Sequence, residues 1–475
     1  MSITIPIWLF IILVLLTTWS ILSRMLIPSV RWFFRRRINK VLDEIAIHLD
    51  LGIRPFQLTK RQVLIDRLAF DPKVMELIQK ISLDKNVPLE VLQAEVNTYA
   101  REIVPSFNAY LYFRLGYWLA KKIARLMYKV RVDRVDNEKL ATVEKDSTVV
   151  FVMNHRSNMD YILVAFLAME RTTLSYAVGE WARIWPLQSL IRAMGAFFVR
   201  RKSDNPLYRL VLERYINMAT REGVCQAVFL EGGLSKDGFL RPPKFGLIDY
   251  MLRSFDSKES RNVVFIPVGI NYDRTLEDRS LLRGLKPETE KRSLAFVIKT
   301  TLGFIIRNFF QMALGRWKRF GYACVNFGDP ISVKDYIVER NFDFKTLSKE
   351  ERFVRIEELC FYLMKSIENV IPVLPVALVS AVMIDFHEKA VSLFEIKAGI
   401  DRLIEELKSN GALIYYPKHN FEKYTETALE MLKIRHMVLE SDNLLKTNPE
   451  MIDILNYYAN SINHWRTPAI DLKSN

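Results

Sequence analysis

The sequence predicts an α/β domain between two mainly helical regions, with a membrane anchor at the amino end. β-branched and apolar runs alternate with helix-like stretches between Val130 and about Lys345, a pattern typical of an α/β domain. Before and after that segment the apolar residues recur at helical spacing. An uncharged apolar run also occupies residues 5–22. These observations give a prediction of architecture before any motif is considered.

Composition sets limits on the class of protein but does not choose one. The chain has 475 residues, enough for a sizeable core and two or three domains. It carries 68 Lys and Arg against 54 Asp and Glu, a net charge of +14, and is 50% hydrophobic. Such a chain can face nucleic acid, anionic lipid or phosphorylated substrates. Cys225, Cys324 and Cys360 are too far apart to indicate a disulfide framework or a zinc site.

The apolar run at residues 5–22, IPIWLFIILVLLTTWSIL, is a candidate membrane anchor. As a helix it would span about 27 Å, against about 30 Å for a hydrocarbon core. No Lys or Arg precedes it, which argues against a cleaved signal peptide. Basic residues follow between Arg24 and Lys40, so the rest of the chain is expected on the cytoplasmic face, of the inner membrane if the source is bacterial. A buried helix of a soluble domain is the less favoured alternative.

The regions on either side of the α/β domain have helical patterns. Residues 1–40 are expected to form the anchor and a basic juxtamembrane segment, and residues 41–130 a helical region. Residues 107–127 within it are rich in aromatic side chains and end on basic ones; either an interfacial helix or a packed helix with a basic surface fits. Residues 346–475 are expected to be helical and structural. Amphipathic stretches are predicted near 349–369, 392–408, 422–437 and 448–462.

The α/β domain is assigned to residues 131–345. Its candidate strands are 148–153, 174–178, 196–199, 225–230, 262–270 and 323–327. An insertion from Asp273 to about Phe320 includes an apolar stretch at 294–314, interrupted only by Lys299 and Arg307. Those two charges favour an interfacial helix over a membrane span. A helix packed on the core is the alternative.

The motif NHRSNMDY, residues 154–161, follows an apolar strand and separates His155 from Asp160 by five positions. On a continuous helix the two side chains would diverge by about 140°. A strand-to-helix turn can bring Asp160 back to the imidazole. The carboxylate would then fix the tautomer of the ring and leave its other nitrogen to accept a proton from a hydroxyl. On spacing alone, a histidine followed five positions later by an aspartate is more often a satisfied polar pair at a strand end.

Two later segments also place polar groups after strands. The first is GAFFVRR, residues 195–201, which ends with Arg200 and Arg201. Adjacent side chains of a strand point to opposite faces, so one of the two arginines is expected to face a site. The guanidinium group of an arginine suits a phosphate. FLEGGLSKDG, residues 229–238, combines glycines that allow close backbone approach with Glu231, which can accept a hydrogen bond from a hydroxylated substrate. Taken singly, each segment is as typical of a solvated turn.

In this order the segments resemble the sequence blocks of the glycerolipid acyltransferases, specifically the glycerol-3-phosphate and dihydroxyacetone-phosphate branch. The matching blocks are NHRSNMDY, GAFFVRR, FLEGGLSKDGFLRPPK and VVFIPVGINYDR. VNFGDPI, residues 325–331, resembles the closing strand of the family. PVLPVALVSAVM, residues 372–383, resembles the helical tail of the glycerol-3-phosphate branch. The resemblance implies an α/β acyltransferase domain with a mixed sheet flanked by helices.

The resemblance also implies roles. His155 would deprotonate the glycerol hydroxyl and Asp160 would orient His155, so that the oxygen attacks an acyl thioester of acyl carrier protein or coenzyme A. Glu231 and Gly232 would belong to acceptor binding, and Arg200 and Arg201 to phosphate binding. Pro267 would shape the fourth block. Neither a metal nor a cofactor is implied.

One departure from the family pattern concerns the third block. Leu234 occupies the position where the family usually has an arginine. Lys236, Arg241 or Lys244 can supply the missing charge, although a lysine is a point charge and not a bidentate fork. The identity of the acceptor is therefore less firmly indicated than the class of reaction.

Two function hypotheses of different classes follow. The first is a membrane-bound enzyme that acylates the sn-1 hydroxyl of glycerol 3-phosphate, giving lysophosphatidic acid for phospholipid biosynthesis. Its variants accept 1-acylglycerol 3-phosphate or dihydroxyacetone phosphate. The second is a catalytically silent, membrane-tethered protein whose basic surface binds anionic lipid or nucleic acid. The intact His155 and Asp160 favour the enzyme, and without a recognisable nucleic-acid module we expect no nucleic-acid partner.

Overall fold

A computed structural model of the protein describes residues 54–132, 137–168, 173–179, 187–200, 203–285, 319–387, 389–415 and 421–466. The predicted anchor at 5–22, the basic segment up to residue 40 and the apolar stretch at 294–314 lie outside these residues. Within the described ranges, no helix is long and apolar enough to cross a membrane.

The amino-terminal region is helical, as predicted. Its helices are α1 Pro55–Leu58, α2 Arg61–Ala69, α3 Pro72–Lys85, α4 Leu89–Ile103 and α5 Tyr117–Met127, with a π-helical segment Leu111–Gly116 before α5. Asp71 starts α3 by accepting a hydrogen bond from the backbone N–H of Lys73, and Asn86 ends it in the left-handed conformation. The helix expected within residues 107–127 is present as this π-helical segment followed by α5.

The central sheet is mixed, as the resemblance implied. Its strands are β1 Lys129–Val132, β2 Thr148–Met153, β3 Ser175–Val178, β4 Phe197–Phe198, β5 Gln226–Phe229, β6 Val263–Tyr272, β7 Tyr322–Phe327 and β8 Ile331–Ser332. The strand order is β1-β7-β6-β2-β5-β3-β4, and β8 pairs with β6. The pairs β6–β7 and β6–β8 are antiparallel and the others are parallel. Every predicted strand is present within two residues of its bounds.

Helices cover both faces of the sheet, which is why its strands read as continuous apolar runs. The helices are α6 Asn137–Ala141, α7 Met159–Ala168, α8 Leu187–Ala193, α9 Pro206–Arg221, α10 Gly246–Leu252, α11 Asp278–Arg283 and α12 Val333–Arg340. Val150 and Val152 of β2 belong to the core that includes α9. Val149 and Met153 belong to a second core with α7. Alternate residues of β2 therefore serve opposite faces.

The carboxyl-terminal region is mainly helical, with α13 Lys349–Glu368, α14 Pro375–Asp385, α15 Leu393–Ser409, α16 Phe421–Ile434, α17 Ile452–Asn460 and α18 Asn463–Arg466. It also contains a small sheet of β9 Val391–Ser392, β10 Val438–Ser441 and β11 Leu444–Thr447, which the sequence analysis did not predict. Asp442 and Asn443 adopt φ of 52° and 60°, the two-residue turn that closes an antiparallel hairpin. These strands were missed because they are short and flanked by amphipathic helices.

The carboxyl-terminal region packs directly on the α/β domain. The buried Asp273, just after β6, accepts hydrogen bonds from the backbone N–H of Tyr322 at 2.7 Å and of Val376 in α14 at 3.1 Å. Gly238 has a φ of 90°, and a Cβ there would overlap the carbonyl oxygen of Tyr457 in α17. The third-block loop is thus in backbone contact with α17.

Candidate active site

The first block forms a fixed turn between β2 and α7. Asn154 follows β2, and its side-chain amide makes two hydrogen bonds to the backbone of Ile270 in β6. Its Nδ2 donates to the Ile270 carbonyl at 2.9 Å, and its Oδ1 accepts from the Ile270 N–H at 2.8 Å. Because β6 lies beside β2, this amide continues the sheet where the strand ends. The turn that carries His155 is therefore anchored to the core.

His155 and Asp160 form the contact that the sequence predicted. The distance between Nδ1 and the Asp160 Oδ2 is 2.9 Å, and both side chains are buried. The imidazole also stacks on Phe229 of β5, with ring centroids 3.9 Å apart. A carboxylate can only accept hydrogen bonds, so Nδ1 carries the proton and Nε2 carries the lone pair. This tautomer is the one a general base needs.

Asp160 accepts hydrogen bonds on both of its carboxylate oxygens. Besides His155, its Oδ2 accepts from the backbone N–H groups of Arg156 at 2.7 Å and Ser157 at 3.0 Å. Its Oδ1 accepts from the hydroxyl of Tyr272 at 2.6 Å. Hydrogen bonds to a carboxylate favour its charged form, which offsets the cost of burying it. The backbone donors come from the turn itself, whereas Tyr272 comes from the far end of β6.

Glu231 links the first block to the third. Its Oε1 accepts from the backbone N–H of His155 at 2.8 Å, and its Oε2 accepts from that of Arg241 at 2.9 Å. Burial raises the pKa of Glu231, while the charge of Arg156 and both backbone donors oppose this rise. Each carboxylate oxygen thus already has a partner in the protein. The predicted role of Glu231 in accepting a hydrogen bond from substrate stays a prediction.

Gly232 and Lys244 lie against each other in the third block. Gly232 has a φ of 66°, and a Cβ there would stand 2.7 Å from Cγ of Lys244. The backbone N–H of Lys244 donates to the carbonyl of Leu230 at 2.8 Å. The absence of a side chain at position 232 therefore lets the lysine stem cross directly over the backbone beside Glu231.

The other third-block cations lie on the exposed side of the same loop. Nη1 of Arg241 donates to the carbonyl of Leu234 at 3.4 Å, so this guanidinium lies beside the position where the family usually has an arginine. Lys236 donates to the carbonyl of Gly284 at 3.2 Å. The side chains of Lys236, Arg241 and Lys244 are all exposed.

Arg200 of the second block binds a carboxylate of α4 and not the His155–Asp160 pair. Arg200 donates to both carboxylate oxygens of Glu102 in α4, at 2.9 Å and 2.6 Å, and its guanidinium lies 5.1 Å from the ring centroids of Tyr99 and Tyr208. The hydrogen bond to Glu102 raises the pKa of Arg200. Arg201 lies outside the described residues. A phosphate-binding role for either stays a prediction.

Several residues of the site were not identified from the sequence. Glu277 accepts from the hydroxyl of Ser157 at 2.7 Å and from the backbone N–H of Asn158 at 3.2 Å. The buried guanidinium of Arg156 donates to the carbonyls of Gly238 and Ser461. Arg156 and Ser157 stand inside the motif, and their polarity next to His155 was an available signal. Their partners lie far along the chain, and no pattern points to them.

The described residues contain no group of three or more His, Cys, Asp or Glu side chains placed to hold a metal ion. The histidines of the carboxyl-terminal region were expected to be surface or packing residues. His387 and His436 are exposed, His464 packs beside Trp465 with ring centroids 5.2 Å apart, and His419 lies outside the described residues.

Residues 119–271, which include the His155–Asp160 pair, match the family described as Acyltransferase. Residues 306–469 match the Glycerol-3-phosphate acyltransferase C-terminal region. The chain is thus similar to an acyltransferase domain followed by the carboxyl-terminal region of glycerol-3-phosphate acyltransferases.

Curated relatives agree with this assignment. The glycerol-3-phosphate acyltransferase of Pseudoalteromonas atlantica is 25% identical over 422 residues, covering 86% of this chain and 50% of the relative. That of Aeromonas hydrophila is 27% identical over 425 residues, with the same coverage. That of Pseudomonas paraeruginosa is 28% identical over 65% of this chain and 36% of its own length. The chain thus spans about half or less of the length of these relatives.

Among solved structures, the 1-acyl-sn-glycerophosphate acyltransferase PlsC from Thermotoga maritima matches with a TM-score of 0.30 and 16% identity, over 64% of this chain and 97% of that one.

Proposed function

We propose that this chain transfers a fatty acyl group from an acyl thioester to the sn-1 hydroxyl of glycerol 3-phosphate, giving lysophosphatidic acid. The contact between His155 Nδ1 and Asp160 Oδ2 at 2.9 Å is the observation that carries the proposal. The match of residues 306–469 to the Glycerol-3-phosphate acyltransferase C-terminal region and the names of the curated relatives support the choice of acceptor. The acyl donor is a thioester of acyl carrier protein or coenzyme A.

In the proposed reaction, Nε2 of His155 takes the proton of the sn-1 hydroxyl as its oxygen attacks the thioester carbonyl. The ionised Asp160 stabilises the imidazolium that forms. The tetrahedral intermediate collapses with cleavage of the carbon–sulfur bond, and the imidazolium returns the proton to the leaving thiolate. An ester and a free thiol result. His155 is therefore neutral at the start and at the end of each turnover.

The phosphate of the acceptor is proposed to bind the exposed cations of the third-block loop. The hydrogen bond from Arg241 to the Leu234 carbonyl supports this, because it keeps a guanidinium at the place of the missing arginine. Lys244 crosses over Gly232 in the same loop. Arg200 uses Nε and Nη2 to bind Glu102, so it would meet a phosphate either through Nη1 or by exchanging Glu102 for the phosphate.

A position at the cytoplasmic surface of a membrane is proposed from the apolar run at 5–22 and the basic residues after it. The surface of α5 supports this proposal. Tyr117 packs on Phe166 of α7, whereas Trp118 is 55% exposed beside Lys122. Aromatic and basic side chains on one exposed face suit a membrane interface. Helix α5 thus combines a packed face with a candidate lipid-facing one.

The test is to identify the product. The purified full chain, in vesicles containing anionic lipid, is incubated with labelled glycerol 3-phosphate, dihydroxyacetone phosphate or 1-acylglycerol 3-phosphate, each with acyl carrier protein and coenzyme A thioesters. We expect labelled lysophosphatidic acid from glycerol 3-phosphate. Product from another acceptor alone would replace the proposed substrate. Binding to the vesicles without product from any combination would favour the catalytically silent alternative.

A further inference from the structure

Tyr272 is the last residue of β6 and lies under the catalytic turn. Its side chain is 2% exposed, and its ring packs on Tyr128, with centroids 5.1 Å apart. Its hydroxyl lies 2.6 Å from Oδ1 of Asp160. Among the described residues it is the one hydrogen-bond partner of that oxygen, because His155 and the two backbone donors all bind Oδ2. The two carboxylate oxygens are thus engaged by different parts of the fold.

We infer that Tyr272 is a positioning residue for the proposed reaction: its hydroxyl fixes the Asp160 carboxylate and sets how basic His155 is. The inference rests on the proposed function. A donor on Oδ1 withdraws charge from the carboxylate and so weakens its pull on the Nδ1 proton. It also prevents the carboxylate from rotating away from the imidazole. Other supporting residues of this kind commonly change activity or affinity by about 10- to 100-fold.

The hydroxyl must remain a donor for this role. Burial raises the pKa of Tyr272 well above its ordinary value, and the negative charge of Asp160 raises it further. The phenol therefore stays protonated throughout the pH range in which an enzyme works, and it donates to the carboxylate at every such pH. Its contribution to His155 is constant, so removing it should displace the pH profile as a whole.

The other polar groups near the pair are the same in both variants described below, except the Tyr128 hydroxyl, which one of the two variants removes. Glu231 binds the backbone N–H of His155, and Glu277 binds the start of α7 through Ser157. Arg156 follows His155 directly. Arg274 and Tyr128 lie behind Tyr272, where the Tyr128 hydroxyl donates to the Arg274 carbonyl at 2.7 Å. None of these groups donates a side-chain hydrogen bond to Asp160. Within the described part of the chain, the side-chain donors to Asp160 are the His155 ring and the Tyr272 hydroxyl.

Tyr128→Phe is therefore a matched control for Tyr272→Phe. Each variant removes one buried hydroxyl and one hydrogen bond from the same aromatic pair. They should lose comparable stability, because each deletes a single hydrogen bond. Only Tyr272→Phe removes a donor from Asp160. Any difference in pH profile between the two then reports on the carboxylate and not on packing.

The experiment measures acyl transfer from pH 5 to 9 with the full chain in vesicles. For Tyr272→Phe we expect kcat to fall about tenfold with KM unchanged. The acidic limb of the profile should move up by about 0.5 to 1 pH unit, the shift that one hydrogen bond produces. Tyr128→Phe should keep the wild-type profile. A 3-fluorotyrosine at position 272, a stronger donor that preserves the fold, should move the limb to lower pH.

The outcomes separate this inference from the proposed function. If wild type and Tyr128→Phe transfer acyl groups while Tyr272→Phe and the fluorinated protein keep the wild-type rate and pH profile, the inference is wrong and the function stands. Equal displacement of the profile in both phenylalanine variants would also overturn it, because packing would explain the change. Absence of acyl transfer by wild type would overturn both. If Tyr272→Phe does not fold, the fluorinated protein decides.

Discussion

Two buried aspartates in this molecule share most of their surroundings and differ in one partner. Asp160 accepts from backbone N–H groups, the Tyr272 hydroxyl and the His155 ring. Asp278, at the start of α11, accepts from the backbone N–H of Arg279, the Tyr458 hydroxyl and the guanidinium of Arg435 at 2.6 Å. Among the described residues, the ion-pair partner of Asp160 is an imidazole, whereas that of Asp278 is a permanent cation.

The difference in partner separates a reactive site from a structural one. Arg435 balances the charge of Asp278 at all times, so this network holds the carboxyl-terminal region on the α/β domain and has no proton to exchange. The charge of Asp160 is balanced by a full cation only when His155 takes up a proton. The energy gained at that moment favours the imidazolium. A buried carboxylate with similar donors around it thus has a role in the proposed reaction where its ion-pair partner can titrate, and a role in stability where the partner cannot.

The largest contrast is expected from the same substitution at both aspartates. In Asp160→Asn the carboxylate is lost and the imidazole loses its fixed tautomer, so kcat should fall by about 10² to 10⁴. Asp278→Asn should keep kcat in the folded protein but lower stability by about 1 to 3 kcal/mol, because the buried Arg435 loses its partner. Turnover and chemical denaturation of both variants provide the test. A comparable fall in kcat for both variants would show that the two aspartates do not differ in their role in turnover.

A smaller effect is expected at the third-block loop. Arg241→Gln should raise the KM for glycerol 3-phosphate about tenfold, the equivalent of ~1.4 kcal/mol of binding, and change kcat little. Steady-state kinetics with varied acceptor would measure this. The exposed Arg279 gives a control, since Arg279→Gln removes the same charge from a different part of the surface. An unchanged KM in Arg241→Gln would exclude this guanidinium and leave Lys236 and Lys244 in the loop, and Arg200 and Arg201, as candidates.

An effect on stability alone, with no expected change in turnover, concerns His464 in α18. Burial, followed by the charges of Arg156 and Lys365, lowers its pKa to about 3. The folded protein therefore holds His464 neutral, while the unfolded chain protonates it near pH 6.5. Its contribution to stability is complete above pH 6.5 and is lost as pH falls toward 3, by about 1.4 kcal/mol per pH unit. His464→Gln should lose less stability than wild type between pH 7 and 5 in denaturant titrations; parallel losses would refute this.

The parts of the fold that could be predicted from the sequence are those determined by neighbouring residues. The strand bounds followed from apolar runs such as TVVFVM in β2, because a strand covered on both faces has to be continuously apolar. The contact between His155 and Asp160 was predicted from the sequence because both residues lie in the same strand-to-helix turn. Asp71 at the start of α3 and the prolines between the amino-terminal helices are local signals of the same kind.

Contacts made across long stretches of chain could not be reached in this way. Tyr272 is 112 residues from Asp160, and Arg435 is 157 residues from Asp278. A tyrosine at the end of an apolar strand gives no sign of which carboxylate it will meet. Arg200 shows the converse, since its position after a strand suggested a phosphate but its guanidinium binds Glu102. Tertiary packing, and not local pattern, decides each of these contacts.

The central claim is that His155 is the base in acyl transfer, and matched histidine variants test it most directly. Asn at position 155 can still donate to Asp160 but cannot take up a proton, whereas the exposed His436, with a φ of 57°, tolerates Asn in its left-handed conformation. With glycerol 3-phosphate and an acyl thioester, His155→Asn should reduce the rate of thiol release by about 10² to 10⁴ while keeping its melting temperature and vesicle binding. His436→Asn should match wild type. A folded His155→Asn protein that turns over at the wild-type rate would contradict the account.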